Sequence, residues 1–251
     1  MISEFPLFVF TTFAGLAAGA YVMAAAFPKE GEEKRAWLFP LAMIVLLGIG
    51  LLGCLGHLHH PERFMYALWN PMAGITQEAY LSILFGLVLA IDVVVCAVKG
   101  AAPRALRIVG AVFGFLLTCV MGYAYSTILG VDAWYTPVTI PLFVVGDLAM
   151  GAALWAALKQ GAYEAKPFLY TTVAVEVLFA CTLAAVAMHF GGLGLNVAPF
   201  VVALVLAPVA HIALAYLAKS GDKAWVAPVA CACVIVGTAV ARYAFYAAYI
   251  G

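Results

Sequence analysis

Eight long apolar runs constrain this chain more than any other feature of its sequence. Each is close to the roughly 20 residues that one helix needs to cross a bilayer. The runs cover residues 5–28, 37–57, 77–98, 105–125, 138–158, 167–190, 198–218 and 224–249. Only 10% of the 251 residues are charged and 67% are hydrophobic, whereas roughly a quarter of a soluble protein is charged. Because main-chain groups in lipid must find their hydrogen bonds internally, the sequence predicts an all-α membrane protein with eight transmembrane helices.

The connections between these runs are short and rich in turn-forming residues. None is long enough for a separate domain, so residues 1–251 are predicted to form a single eight-helix transmembrane domain. The opening MISEFPLF carries Glu4 and neither Lys nor Arg. It lacks the basic start of a secretory signal, and the first run is expected to remain in the mature protein.

The basic residues are distributed unevenly over the connections, which predicts the orientation of the chain. Ten of the twelve lie in or beside the first, third, fifth and seventh connections: Lys29, Lys34, Arg35, Lys99, Arg104, Arg107, Lys159, Lys166, Lys219 and Lys223. Arg63 lies in the second connection and Arg242 inside the last run. Short loops rich in Lys and Arg stay in the cytoplasm, so both termini and the second connection are expected on the outer side. The formal net charge of zero and the lack of a nucleic-acid motif argue against a nucleic-acid partner.

Ionisable side chains inside the runs are the candidate functional groups, because a charge in a bilayer needs a cavity or a partner. They are Asp92, Asp147, Glu176, His189, His211 and Arg242, with His57 and Glu78 at the ends of the second and third runs. At 1.5 Å per residue, the outer third of the bilayer contains His57, Glu78, His189 and Arg242. Arg242 cannot deprotonate and needs an anion, a dipole or water beside it. The three carboxylates suit interhelical hydrogen bonds or a proton path, and His211 is better explained as a bonded core residue than as a ligand.

The segment GHLHHPERF, residues 56–64, contains three of the five histidines and suggests a metal or haem site. Helical ligands lie three or four residues apart, and Pro61 is expected to end the helix here, so His57 forms a poor chelate with His59 or His60. A transmembrane b-type haem needs two histidines at similar depth. His57 and His189 form one such pair, and His211 lies at a different depth and gives no second pair. A haem or metal is therefore disfavoured, and His59 and His60 are best explained as solvated turn residues. The six cysteines lack a CxxC motif and are best explained as packing residues.

A quinol explains the outer cluster of ionisable residues better than a metal does. Its apolar ring and tail need a lipid-accessible pocket, and its oxidation needs a base for one hydroxyl and a donor for the other oxygen. An imidazole can accept such a proton near neutral pH. A secondary transporter of a small anion and a b-type cytochrome are the alternatives from other classes. The transporter predicts broken helices at corresponding positions of two halves.

Four short motifs resemble, in order, landmarks of the DmsC family, the membrane anchor subunits of dimethyl sulfoxide reductase and related molybdoenzymes. They are GHLHHPERF, TQEAY, AWYTP and GTAVARYAFY. The family's landmark residues fall on His57, Leu58, Pro61, Arg63, Glu78, Trp134, Tyr135, Arg242, Phe245 and Tyr246. Gln77 and Ala241 depart from the family's Asn and Gly. The resemblance covers the whole chain in length and helix count, and it extends to the wider group of eight-helix anchors that includes the polysulfide reductase subunit.

The resemblance implies a function for the chain. Such anchors hold an iron–sulfur subunit with four clusters and a molybdopterin catalytic subunit at the bacterial cytoplasmic membrane. They oxidise menaquinol from the quinone pool and carry no haem or metal of their own. The chain would then contain the quinol-oxidation site but not the centre that reduces the terminal substrate. A polysulfide-reductase-type anchor that translocates protons is the alternative within the same group.

The resemblance also implies roles for individual residues. His57 matches the family's quinol-site histidine and is expected to accept the proton of a quinol hydroxyl. The residues expected to orient His57 and the ring are Arg63, Glu78 and Arg242. Tyr135 or Tyr246 is expected to donate a hydrogen bond. The turn PERFMYALWNP, residues 61–71, is expected to meet the iron–sulfur subunit, unless it is an ordinary aromatic belt at the membrane interface.

Overall fold

The computed structural model describes residues 4–28, 35–57, 66, 68–219 and 223–249, and of His57 the main chain alone. In this part of the chain, eight helices are long and apolar enough to cross a membrane. The helices are α1 (Phe5–Ala26), α2 (Leu38–His57), α3 (Gly74–Lys99), α4 (Arg104–Ser126), α5 (Thr139–Leu158), α6 (Lys166–Gly192), α7 (Ala198–Lys219) and α8 (Val226–Ala247). The residues described contain no strand. The predicted all-α architecture with eight apolar helices is confirmed, and the side of the membrane on which the termini lie stays a prediction from the charges.

The third helix begins earlier than its apolar run. The run starts at residue 77, whereas α3 starts at Gly74, after Ala73 in an extended conformation. The amides of Thr76 and Gln77 both donate to the Ala73 carbonyl, so the first turn forms over residues that hydropathy does not single out. Glu78 consequently lies in the second turn of α3 instead of at its start.

The helices form two groups of four, α1 to α4 and α5 to α8. Within each group the helices pack side by side in chain order, and the first also packs against the fourth. The groups meet mainly through α1 against α5, with further contacts of α4 with α5 and of α1 with α8. The two central helices are the most enclosed, since 72% of the spanning window of α1 and 61% of that of α5 are buried.

Small residues allow α1 and α5 to approach closely. A methyl group added to Gly19 would overlap the main-chain carbonyl of Asp147, and one added to Gly151 would overlap the main chain at Gly19. A methyl group on Gly15 would overlap the Asp147 carboxylate itself. Helices in lipid associate by such close packing, because lipid tails remove the hydrophobic drive that operates in water.

Substitution of Gly19 by alanine is expected to lower the free energy of unfolding by about 1–3 kcal/mol, because the main chain of α5 must move away. Gly48→Ala is the matched control, since its added methyl group would meet nothing within 4 Å. The control is expected to be neutral or slightly stabilising, as alanine favours a helix over glycine. Thermal unfolding in detergent measures both, and equal midpoints for the two variants would contradict the close contact.

Helix α7 contains a π-helical turn over Val205–Val209, around Pro208. Proline lacks an amide hydrogen, so the regular hydrogen-bond ladder cannot continue through it. The helix at the corresponding place in the other group, α3, runs unbroken from Gly74 to Lys99. The pair of matched broken helices that a transporter predicts is therefore not found at these two positions.

Candidate functional site

Arg242 lies where the two groups of helices meet. It is fully buried, and its guanidinium donates to the Asp147 carboxylate on α5 and to the main-chain oxygen of Thr11 on α1. The guanidinium carbon lies 5.0 Å from the centre of the Phe143 ring. Asp147 therefore supplies the anion that a permanently charged group needs inside a membrane.

Tyr246 lies one turn after Arg242 on the same side of α8. Its hydroxyl donates to Thr11 Oγ1 at 3.2 Å, so Thr11 contacts both residues. The Tyr246 ring packs at 5.4 Å from that of Tyr125 on α4. A buried aromatic cluster surrounds this contact, with Trp134 donating through its indole nitrogen to the Phe245 carbonyl at 2.7 Å. The cluster ties α4, the fourth connection and α8 together at this end of the bundle.

Glu78 is buried at the same end, with 5% of its surface exposed. Its carboxyl group lies near the hydroxyls of Tyr125 and Tyr246 and the thiol of Cys54. Cys54 lies one turn before His57, where α2 ends. The fold therefore brings Glu78, Tyr246 and the end of α2 to one end of the bundle.

Buried polar atoms without a hydrogen-bond partner among the described residues include Glu78 Oε1, Asp147 Oδ2 and Arg242 Nε. Buried polar groups are normally bonded to protein or to water. We call the set of Glu78, Tyr246, Arg242, Asp147 and Thr11 the Glu78–Arg242 site.

The remaining predicted site residues are placed differently. Tyr135 is 54% exposed, next to the buried Trp134. Arg63, His59 and His60 lie outside the described residues, as does the side chain of His57. The roles predicted for all of them stay predictions.

A second ionic network, which the sequence reasoning did not identify, lies near the other end of the bundle. Arg107 Nε pairs with Asp92 Oδ2 at 2.9 Å, and the Tyr21 hydroxyl donates to the same oxygen at 2.7 Å. The Cys96 thiol donates to Asp92 Oδ1 at 3.2 Å. Arg107, which the sequence groups with the loop charges, is one turn into α4 and balances a fully buried carboxylate. The short connection between α3 and α4 was the available signal, because it brings the adjoining turns of the two helices together.

A third network joins α6, α7 and the 3-10 turn Ala162–Glu164. His211 Nδ1 lies 2.5 Å from Glu176 Oε1, and His211 Nε2 lies 2.7 Å from the Tyr163 hydroxyl. Burial raises the pKa of the Tyr163 hydroxyl, which therefore stays uncharged and shares a hydrogen bond with Nε2. Both ring nitrogens are engaged, in agreement with the interpretation of His211 as a bonded core residue.

His189, the fifth histidine, is partly exposed near the end of α6. Its Nε2 donates to the main-chain oxygen of Asp132 at 2.9 Å. This bond connects α6 to the fourth connection, which is consistent with a residue at the membrane interface.

Comparison with known proteins identifies relatives along most of the chain. A family model described as DMSO reductase anchor subunit (DmsC) matches residues 1–198, which include His57 and Glu78 and end before Arg242 and Tyr246. The sequence is 28% identical over 161 residues to the C subunit of the anaerobic dimethyl sulfoxide reductase of Escherichia coli (strain K12). The alignment covers 60% of this chain and 55% of that protein, so the chain spans about half the length of this curated relative.

Proposed function

Because the chain belongs to the DmsC family of dimethyl sulfoxide reductase anchor subunits, we propose that it is the quinol-oxidising membrane anchor of a three-subunit molybdopterin oxidoreductase. In this role it oxidises menaquinol from the quinone pool of a bacterial cytoplasmic membrane during anaerobic respiration. Electrons pass to an iron–sulfur subunit with four clusters and then to the molybdopterin catalytic subunit. The family match over residues 1–198 carries this proposal.

The chemistry of the Glu78–Arg242 site supports the quinol part of the proposal. Oxidation of a quinol releases two electrons and two protons, so the site needs proton acceptors in an apolar setting. Glu78 is a buried carboxyl group whose Oε1 has no hydrogen-bond partner among the described residues, and His57 ends the neighbouring helix α2. An imidazole ordinarily changes charge between pH 5 and 8, which suits it to take the first proton. Glu78 orients the His57 imidazole and the quinol ring, or relays the proton.

Arg242 has a positioning role in this proposal. It is bound to Asp147 and to Thr11, and Tyr246 is bound to Thr11 as well. The buried ion pair therefore fixes the side of α8 that presents the Tyr246 hydroxyl. Such rigid support matters because a hydrogen-bond donor contributes to catalysis only when it is held in place beforehand.

The connection before α3 is suited to meet the iron–sulfur subunit. Tyr66, Trp69 and Met72 are at least 75% exposed, although all three are large and apolar. Aromatic residues and methionine are enriched where proteins associate. The segment is also anchored, since Tyr80 donates to the Leu68 carbonyl and Gln77 to the Pro71 carbonyl. An ordered aromatic surface beside the quinol site would keep the first cluster close to the electron donor.

The proposal places the partner subunits on the outer side, where the substrate consumes the protons that the quinol releases, so the reaction translocates no protons. The distribution of basic residues supports the orientation. Asp92, Asp147 and Glu176 each have a bonded cationic or imidazole partner, which supports a structural role for them. The polysulfide-reductase-type alternative would use them as a relay across the membrane.

Reconstitution of the complex tests the function. We expect a tag on this chain to co-purify the iron–sulfur and molybdopterin subunits. In vesicles the complex should oxidise menaquinol, and dimethyl sulfoxide is the first terminal electron acceptor to be supplied. Removal of this chain should leave activity with an artificial electron donor and abolish oxidation of menaquinol. With the catalytic subunit on the outer side, reduction of dimethyl sulfoxide consumes there the two protons that each menaquinol releases, so a pH dye on that side should report no net release of protons. Menaquinol oxidation that does not need this chain would contradict the anchor role, and net outward pumping would favour the proton-translocating alternative.

A further inference from the structure

A cavity of about 610 Å³ opens at the basic end of the bundle, remote from the Glu78–Arg242 site. It lies between the ends of α1, α2, α3, α4 and α5, and Arg35, Arg104 and Arg107 line it. Its volume is within the range of ordinary ligand pockets, roughly 300–1,000 Å³. By the charge bias of the connections, this end faces the cytoplasm.

The charge of the cavity is strongly one-sided. Among the described residues that line it, three are arginines and none is acidic. Arg107 is already paired with the buried Asp92, which lies behind the wall. The excess positive charge therefore comes from Arg35 and Arg104. Arginine in this arrangement favours phosphate, to which its planar group donates two parallel hydrogen bonds.

The rest of the cavity is apolar. Its inner wall includes Phe39 and Trp155, whose rings pack at 5.1 Å, and small alanines of α1 and α2. At its edge, Leu38 and Leu158 are 43% and 44% exposed. Exposed leucines at the end of a membrane-spanning bundle face lipid. A ligand of this cavity therefore needs an anionic head and an apolar body.

We propose that this cavity binds an anionic phospholipid, with its phosphate between Arg35 and Arg104 and its upper acyl chain against Phe39 and Leu158. A basic pocket between helices at the cytoplasmic surface is the setting in which anionic headgroups are recognised. A free phosphate ion would satisfy the arginines but would leave the apolar walls without a partner. This lipid site does not depend on the quinol function and would be present in the chain with or without it.

Native mass spectrometry of the tagged chain, with the subunits that co-purify, tests the lipid site. The protein is released from nanodiscs of phosphatidylglycerol or of phosphatidylcholine, and the lipids that stay bound are counted. We expect wild type to retain phosphatidylglycerol selectively. The variant Arg35→Gln/Arg104→Gln should bind it about 30-fold more weakly, since each arginine near an anionic headgroup contributes roughly a factor of five.

The control Lys166→Gln/Lys219→Gln removes the same charge from the same end of the bundle without touching the cavity lining. It should retain phosphatidylglycerol like wild type, and millimolar inorganic phosphate should not displace the lipid. Equal losses in both double variants would show a general surface attraction and overturn the proposal. Displacement by inorganic phosphate would overturn it in favour of a soluble anion. The acidic run Glu30, Glu32 and Glu33 lies outside the described residues. If phosphatidylglycerol is retained only after all three glutamates are replaced by glutamine, the proposal is overturned, because the acidic run of the chain itself would then be the occupant of the cavity.

Discussion

Replacement of His57 by alanine is expected to abolish menaquinol-dependent turnover of the assembled complex and to spare turnover with an artificial electron donor. The reason is that a quinol cannot release its electrons unless its hydroxyl protons have an acceptor, and a positioned acid–base group contributes about 10²–10⁴-fold to a rate. His57 ends α2 one turn beyond Cys54, which lies near Glu78. Loss of the imidazole leaves the Glu78 carboxylate without its proposed partner.

The same short segment provides the controls for this experiment. His59→Ala and His60→Ala remove an imidazole two and three residues away, and both should retain menaquinol oxidation within about twofold of wild type. The ratio of menaquinol-dependent to artificial-donor activity is the quantity to compare, since it cancels differences in assembly. Unchanged menaquinol oxidation in the His57 variant would remove His57 from the mechanism. A loss in all three variants would point to the fold of the segment instead of to one base.

Replacement of Arg242 by methionine is expected to have the largest effect on stability, about 3–5 kcal/mol, because it leaves the Asp147 carboxylate buried without a cation. Asp147 cannot turn toward solvent, since it is fully buried and Gly15 and Gly19 of α1 lie directly against it. The variant should therefore unfold at a lower temperature and assemble poorly. Thermal unfolding of the purified chain in detergent measures the effect.

A second variant separates the ion pair from the shape of the site. Asp147→Asn keeps the size of the side chain in the tight space beside Gly15 and removes its charge. The double variant Arg242→Met/Asp147→Asn should recover a large part of the stability that Arg242→Met loses, because no uncompensated charge remains. Additive losses would contradict a direct interaction between the two side chains. In the double variant menaquinol oxidation should remain low, as Tyr246 has lost part of its support.

Much of the candidate site could be predicted from the sequence, but its pairings could not. The need of Arg242 for a polar partner follows from one residue and its depth. That the partner is Asp147, 95 positions earlier, depends on how α5 and α8 are turned toward each other. The same holds for the interaction of Tyr163 and Glu176 with His211, which joins parts of the chain that have no spacing rule between them.

The sequence by itself determined the number of helices, their approximate ends and the uneven distribution of basic residues. These are local properties, since a run of apolar residues and a group of charges act on the membrane wherever the rest of the chain lies. Only the tertiary structure decided which faces meet, because the rotation of each helix depends on contacts between distant segments. The approach of Gly19 to α5 is such a contact. Contacts of this kind join scattered ionisable residues into three bonded networks, and they leave Glu78 buried, with its Oε1 unpartnered among the described residues.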